Sequence, residues 1–402
     1  MAELTERAPE SESFSVHYEH HMRGFLNPLP ARSASFRGLF ADDDYRDVRS
    51  YFAGHPELSP TPLRKLPALA ASLGLGALSV KDESGRFGVD AFKIVGVRYA
   101  MHRLMLGSDG GPRPGEHADG TTNAALARRG VVCATAGNHG RAVARVASDH
   151  RLPCTVFVAS PGDADSPVDR RSRGARVAGM IADGATVVEV SGSYEEAVRR
   201  AAEHGSATGA LVVSDTSWPG YHEIPGFIVS GYTQILAEAY EQWQSVPDVI
   251  VVQGGVGGLV CAVASWCAWR FGAARPYVIA CEPDGAACLL ASAEAGKPIA
   301  LEGPLTTSMA GLRCAEPSPA AWPAIVRTVD AFVSIPDSIA LDMVDRLARP
   351  SGTDPSIQAG LSGACGAGAL AAVATAPDLA HVRRAARMDR STHALVIVTE
   401  GP

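Results

Sequence analysis

The sequence predicts an α/β protein with mainly parallel sheets in two doubly wound lobes, and three patterns carry that prediction. Short β-rich runs at 154–158, 186–190 and 210–213 alternate with helical stretches such as 193–204. Such alternation implies crossover helices between parallel strands. Three later runs, at 249–252, 277–281 and 394–398, form with part of the N-terminal segment a second, larger sheet. Two of the strand-like runs also pass through glycine-containing turns into helices, the place where open α/β sheets bind ligands.

Taken in order, residues 1–34 are polar and without periodicity and are read as a partly ordered extension. Residues 42–53 have helical spacing, with Tyr45, Val48, Tyr51 and Phe52 as the apolar face. Pro56, Pro60 and Pro62 impose an extended entry to the core. A helix runs from Lys93 to about Leu106. Residues 107–123, rich in Gly, Asp and Pro, form a long exposed loop, an insertion rather than a lid. The expected division is a large lobe of 35–96 with 235–402 and a small lobe of 97–234.

A chain of 402 residues, 46% apolar and 20% charged, is ordinary for such a protein. A formal charge of −7 offers no basic surface to nucleic acid. The nearest basic cluster, Arg170, Arg171, Arg173 and Arg176, is read as a solvated helix face. The eight cysteines show no CxxC pair and no zinc spacing, and Cys133, Cys261, Cys281 and Cys365 sit in apolar surroundings as buried thiols do. With no signal peptide, the expected location is the cytoplasm. Residues 249–269 carry no charge, but Gln253 and four glycines divide them into strand and helix, so no membrane span is expected. His17, His20 and His21 are read as solvated, and no metal site is expected.

Three segments carry chemistry. Lys93 follows a strand-like run at 77–80 and lies among Phe92, Ile94 and Val95. An amine that holds an aldehyde as a Schiff base must be partly desolvated to be unprotonated, and these neighbours are expected to supply that environment. The second is Cys133-Ala134-Thr135-Ala136-Gly137-Asn138-His139-Gly140, a strand, turn and helix start that directs N–H groups at an anion. The third is Gln253-Gly254-Gly255-Val256-Gly257-Gly258, where glycines allow a phosphate close to a helix N-terminus.

This order of Lys-x-x-Gly, Ala-Gly-Asn-His-Gly and Gly-Gly-x-Gly-Gly resembles the pyridoxal-phosphate enzymes of the tryptophan synthase β / threonine dehydratase fold (fold type II). Within them it resembles the diaminopropionate ammonia-lyases. Ser59-Pro60-Thr61-Pro62-Leu63, Asp215-Thr216-Ser217-Trp218-Pro219-Gly220-Tyr221, Ala310-Gly311-Leu312-Arg313-Cys314-Ala315-Glu316-Pro317 and Thr399-Glu400-Gly401 extend the resemblance over residues 35–401. It implies pyridoxal 5'-phosphate in the cleft between the lobes and a homodimer. Lys93 would carry the cofactor and move protons at the substrate Cα. Asn138 would bond the ring oxygen, Gly254, Gly255, Val256, Gly257 and Gly258 the phosphate, and Thr399 would sit at the pyridine nitrogen. A neutral hydroxyl there favours elimination and replacement over transamination. Thr135, Ala136, Gly137 and His139 would line the substrate-carboxylate pocket; His139 is read as a wall of it rather than a proton shuttle. Asp215 would anchor a second ammonium or act as acid and base.

Two carboxylates usual in that family are missing. Ala136 stands where an aspartate is credited with removing the Cα proton of the D-enantiomer, and Leu361 replaces a glutamate. The expected reaction is therefore β-elimination from a small L-amino acid, 2,3-diaminopropionate first, with Lys93 as sole base. Alternatives are β-replacement through aminoacrylate, serine/threonine dehydration, and a decayed regulatory subunit, which the intact Lys93, Asn138 and glycine loop oppose.

Overall fold

The computed structural model describes residues 22–29, 40–106, 126–135, 137–160, 167–192 and 194–402. Ala136, the histidines at 17, 20 and 21, and the loop 107–123 lie outside the described residues. In chain order the first elements are β1 (Arg23–Leu26), α1 (Asp42–Ala53), β2 (Leu63–Lys65), α2 (Pro67–Ser72), β3 (Ala77–Asp82) and α3 (Lys93–Leu106). Then come β4 (Val131–Thr135), α4 (Asn138–Asp149), β5 (Cys154–Ser160), α5 (Pro167–Ala182), β6 (Thr186–Ser191), α6 (Tyr194–Thr208) and β7 (Leu211–Val212). The chain continues with α7 (Glu223–Gln242), β8 (Val249–Gln253), α8 (Gly258–Phe271), β9 (Tyr277–Pro283), α9 (Cys288–Ala295), α10 (Trp322–Thr328) and β10 (Ala331–Ile335). It closes with α11 (Asp337–Ala348), α12 (Leu361–Thr375), α13 (Ala380–Ala385) and β11 (His393–Val398).

The strands form two sheets. A seven-stranded sheet runs β1-β10-β9-β8-β11-β3-β2 and a four-stranded sheet β6-β5-β4-β7. The small sheet is parallel throughout. The large sheet is parallel from β10 to β3, with antiparallel β1 and β2 at its edges. Its inner strands are buried on both faces, as parallel strands covered by helices must be. Val249 and Val251 of β8 pack with α2, α11 and α12, while Ile250 and Val252 face α3, α7 and α8. That second apolar cluster continues into Cys133, Val156 and Val158 of the small sheet, so one core joins the lobes.

Several expectations change. Arg23–Leu26, inside the segment read as an extension, pairs with β10 and extends the large sheet. β10 is a strand beyond those expected. The lobe boundaries at 96/97 and 234/235 fall inside α3 and α7, which cross in backbone contact: a β-carbon on Gly231 would come 2.8 Å from Gly96 Cα. The two helices are shared by both lobes. The uncharged stretch 249–269 divides into β8 and α8, and among the described residues no single helix is long and apolar enough to cross a membrane. All eight cysteines are free, and only Cys314 is not fully buried.

Beside the end of β3 lies a buried charge cluster. The Lys81 ammonium donates to Glu238 of α7 at 2.7 Å, and the Arg86 guanidinium to Glu83 at 2.6 Å and Glu238 at 2.7 Å. These four side chains are fully buried. The Thr61 carbonyl and hydroxyl complete the set, accepting from Lys81 at 2.7 Å and from Arg86 at 3.1 Å. Removing one partner leaves a buried charge without its counterion, which costs about 3–5 kcal/mol. Arg86→Met is expected to lower unfolding free energy by about that amount, read as a lower urea midpoint, whereas Arg46→Met on exposed α1 is expected to leave it unchanged.

Candidate active site at the carboxyl ends of the strands

The functional residues come from loops that follow β3, β4, β7, β8 and β11. Lys93 opens α3, and the chain leading to it is clamped against the residues after β11. Phe92 N–H donates to the Thr399 carbonyl at 2.9 Å, Gly401 N–H to the Asp90 carbonyl at 2.8 Å, and Ala91 bridges Glu400. Phe87 (φ 49) and Asp90 (φ 59) hold left-handed conformations in this loop. Such backbone persists only where its surroundings over-determine it, and the charge cluster and the clamp do so here.

The Lys93 ammonium donates to the Asp215 carboxylate and lies 5.5 Å from the centre of the Phe92 ring. Ile94 and Val95 are fully buried in the core. Burial does pull the Lys93 pKa down, but the adjacent Asp215 carboxylate outweighs it and holds the pKa above the ordinary lysine value. In this structure Lys93 is paired with Asp215.

His139 completes the group. Its Nε2 lies 2.9 Å from the Val213 carbonyl, which can only accept, so Nε2 carries the proton. Nδ1 is left as the lone-pair nitrogen, without a hydrogen-bond partner among the described residues and 3.8 Å from Asp215. Burial lowers the His139 pKa, so the ring is neutral at neutral pH. Burial opposes ionisation of Asp215, but His139, which gains its charge only at low pH, and the Lys93 ammonium beside it hold the carboxyl well below the usual range.

Asn138 directs its amide N–H to the Glu400 carboxylate. Glu400 also sits at the start of α12, where a β-carbon on Gly360 would meet its Oε1 at 3.1 Å. Thus Glu400 supplies a carboxylate at the helix that Leu361 opens without one. Thr399 Oγ1 accepts a 3.0 Å bond from Gln253 Nε2, whose amide also meets the Ser362, Gly363 and Ile397 carbonyls. Thr135 departs from its expected role. Its buried hydroxyl accepts from Gly137 N–H at 2.9 Å and Gly140 N–H at 3.2 Å, so it shapes the turn from beneath instead of facing a substrate. Arg176, read as part of a solvated face, reaches the same turn: a β-carbon on Gly137 would lie 2.9 Å from its Nη1. Glu400, Gln253 and Arg176 lie in segments noted in the sequence but were given no role in a site there. Only Gln253 carried a signal, as the polar residue ending an apolar strand.

The glycine loop joins β8 to α8. Gly257 has φ +97, and a β-carbon there would meet Ile325 Cδ1 at 2.5 Å, so only glycine fits. Gly254 N–H is committed to the Cys281 carbonyl at 2.9 Å, which confines a phosphate cradle to Gly255, Val256, Gly257 and Gly258. Backbone N–H groups at the start of a 14-residue helix suit a phosphate. With Lys93 to take an aldehyde and the Thr399 hydroxyl beyond it, these residues fit pyridoxal phosphate.

Comparison with known proteins agrees. Diaminopropionate ammonia-lyase from Escherichia coli (strain K12) is 32% identical over 373 residues, covering 90% of this chain and 89% of that one. The Salmonella typhimurium enzyme of the same name is 32% identical over 374 residues, with 88% of each chain covered. The E. coli enzyme solved in complex with an aminoacrylate-PLP azomethine reaction intermediate superposes with a TM-score of 0.80 at 30% identity, covering 94% of both chains. Residues 55–389 match the family described as pyridoxal-phosphate dependent enzyme, and the chain belongs to that family.

Proposed function

We propose that this protein is an ammonia-lyase that removes the β-amino group of L-2,3-diaminopropionate, yielding pyruvate and ammonia. The observation that carries this reading is the Asp215 carboxylate set against the lysine at the mouth of α3. Pyridoxal phosphate, when bound, supplies the electron sink that makes the substrate Cα–H acidic.

The chain's own residues account for the rest. In this structure Asp215 neutralises the Lys93 ammonium. Once the Lys93 nitrogen is engaged by the cofactor, Asp215 needs another cation, and the β-ammonium of diaminopropionate has the matching charge. Serine or threonine would offer only a neutral hydroxyl. A carboxylate with a depressed pKa keeps the β-nitrogen protonated, so it departs as neutral ammonia carrying the C–N bonding pair, with no further acid. Lys93 would be the base that takes the Cα proton. Released aminoacrylate tautomerises, and water converts it to pyruvate and a second ammonia. His139, fixed by Val213, backs Asp215 with a neutral ring and lets the carboxylate face the substrate. Ala136 offers no group for a proton on the opposite face, which supports action on the L-enantiomer alone. A homodimer in the cytoplasm belongs to the same proposal; the free thiols suit a reducing compartment, and sedimentation checks the dimer.

The test is pyruvate release by the holoprotein from L- and D-diaminopropionate and from L-serine. We expect pyruvate from the L-diamine, with the D-isomer and L-serine at least about a hundredfold slower. Fast turnover of L-serine would replace this reading with a dehydratase. Lys93→Ala is expected to abolish both turnover and the absorbance of the lysine-bound cofactor. Asp215→Asn is expected to cut kcat/KM for the L-diamine by about 10²–10⁴-fold. The same variant removes the charge that raises the Lys93 pKa and leaves burial to lower it. The pH profile for attachment of pyridoxal phosphate to Lys93 should therefore move to lower pH, read from the rate at which that absorbance forms.

A further inference from the structure

One buried polar atom at this site has no part in the reaction set out above. Tyr232, in the middle of α7, is 2% exposed, and its hydroxyl has no hydrogen-bond partner among the described residues. A phenol has a proton to donate, and a buried polar group that makes no bond needs a reason.

Its position supplies the reason. A β-carbon on Gly96 would meet Tyr232 Cε1 at 2.5 Å, and one on Gly258 would meet Cε2 at 3.6 Å. The hydroxyl end of the ring thus lies between the helix that Lys93 opens and the first residue of α8. The Phe92 ring, 4.8 Å away between centroids, closes the side. Burial raises the phenol pKa; Lys93 opposes this and Asp215 reinforces it, and the group stays a neutral donor. The loop itself has little to add. From Gly254 to Leu259 there is no Lys, Arg, Ser or Thr, and the Gln253 amide is committed to the carbonyls of Ser362, Gly363 and Ile397 and to Thr399. Backbone N–H groups are the loop's own donors, so a dianion held there has room for a side-chain donor from outside.

We propose that Tyr232 is a ligand of the cofactor phosphate, donating its O–H to a phosphate oxygen held at the N-terminus of α8. The proposal rests on the reading that Gly255 to Gly258 cradle that phosphate.

Tyr232→Phe retains the ring and deletes only the oxygen. The affinities of the full chain, stripped of cofactor, are measured by fluorescence titration with pyridoxal phosphate and with pyridoxal, which lacks the phosphate. For the variant we expect the Kd of pyridoxal phosphate to rise about tenfold, as for loss of one charge-assisted bond, with that of pyridoxal unchanged. Because the hydroxyl has no partner within the chain, the Tm without cofactor should stay the same or rise, while the Tm with cofactor falls. A lower Tm without cofactor would overturn the proposal by showing that the oxygen has a protein partner. So would equal losses for both ligands, which would place the hydroxyl at the lysine or ring, or no loss for either. If the unaltered chain itself binds pyridoxal as tightly as pyridoxal phosphate, the glycine cradle is wrong and the proposal falls with it. If it prefers the phosphate and Tyr232→Phe keeps that preference, the cradle stands and only the role of Tyr232 fails.

Discussion

The position of the reactive lysine depends on four charges that never meet water. Lys81, Glu83, Arg86 and Glu238 sit where an isolated ion would be prohibitively costly, and their charges cancel within one hydrogen-bonded group. The group ties three parts of the chain together: the end of β3, the turn that follows it and the C-terminal part of α7. That turn leads to Lys93 through two residues with left-handed backbone, a path that would relax if its base were free. Burial opposes ionisation of Glu238, yet Arg86 and Lys81 hold its pKa below the ordinary value, while burial pulls the Lys81 pKa down. For Glu238 the sign follows from the depressed pKa: its contribution to stability is present above the unfolded value and is lost as pH falls through the folded one.

A second charge relation sits on top of the first. The Lys93–Asp215 pair joins the start of α3 to a loop of the small sheet, so the cleft is held by the two groups to which the proposed reaction gives chemical roles. In the proposed reaction a substrate ammonium would take the place of Lys93 at Asp215, so that no uncompensated carboxylate would be left in a largely buried pocket.

The parts of this arrangement differ in how far they could be read from sequence. The inner strands were legible because each is a short apolar run ended by a turn, and the glycine loop because glycines between strand and helix have few other uses. β1 was not: a four-residue edge strand with half-exposed side chains has no periodicity to find. The expected lobe boundaries fall inside α3 and α7, whose crossing at Gly96 and Gly231 is not set by local pattern. The partner of Lys93 was hidden for a related reason. Ile94 and Val95 are adjacent in sequence but point into the core, whereas Asp215, distant in sequence, touches the amine. Thr135 looked like a pocket residue, yet its hydroxyl is engaged by its own turn. Tyr232 gave no signal at all, since a tyrosine in an apolar helix reads as core until its oxygen is seen to lack a partner.

The strand order has a consequence for how the protein is made. β11 lies between β8 and β3 at the centre of the large sheet, and its register sets His393 against Ala77. A ribosome delivers β3 long before β11. Through that interval β3 and β8 each present an apolar edge awaiting the same missing neighbour, while the small sheet, β4 to β7, can close from sequence already made. Long-range parallel pairing of this kind is slow, and unpaired edges invite association with other chains. The nascent large lobe is accordingly the part of this protein most exposed to aggregation and most in need of chaperone shelter during synthesis.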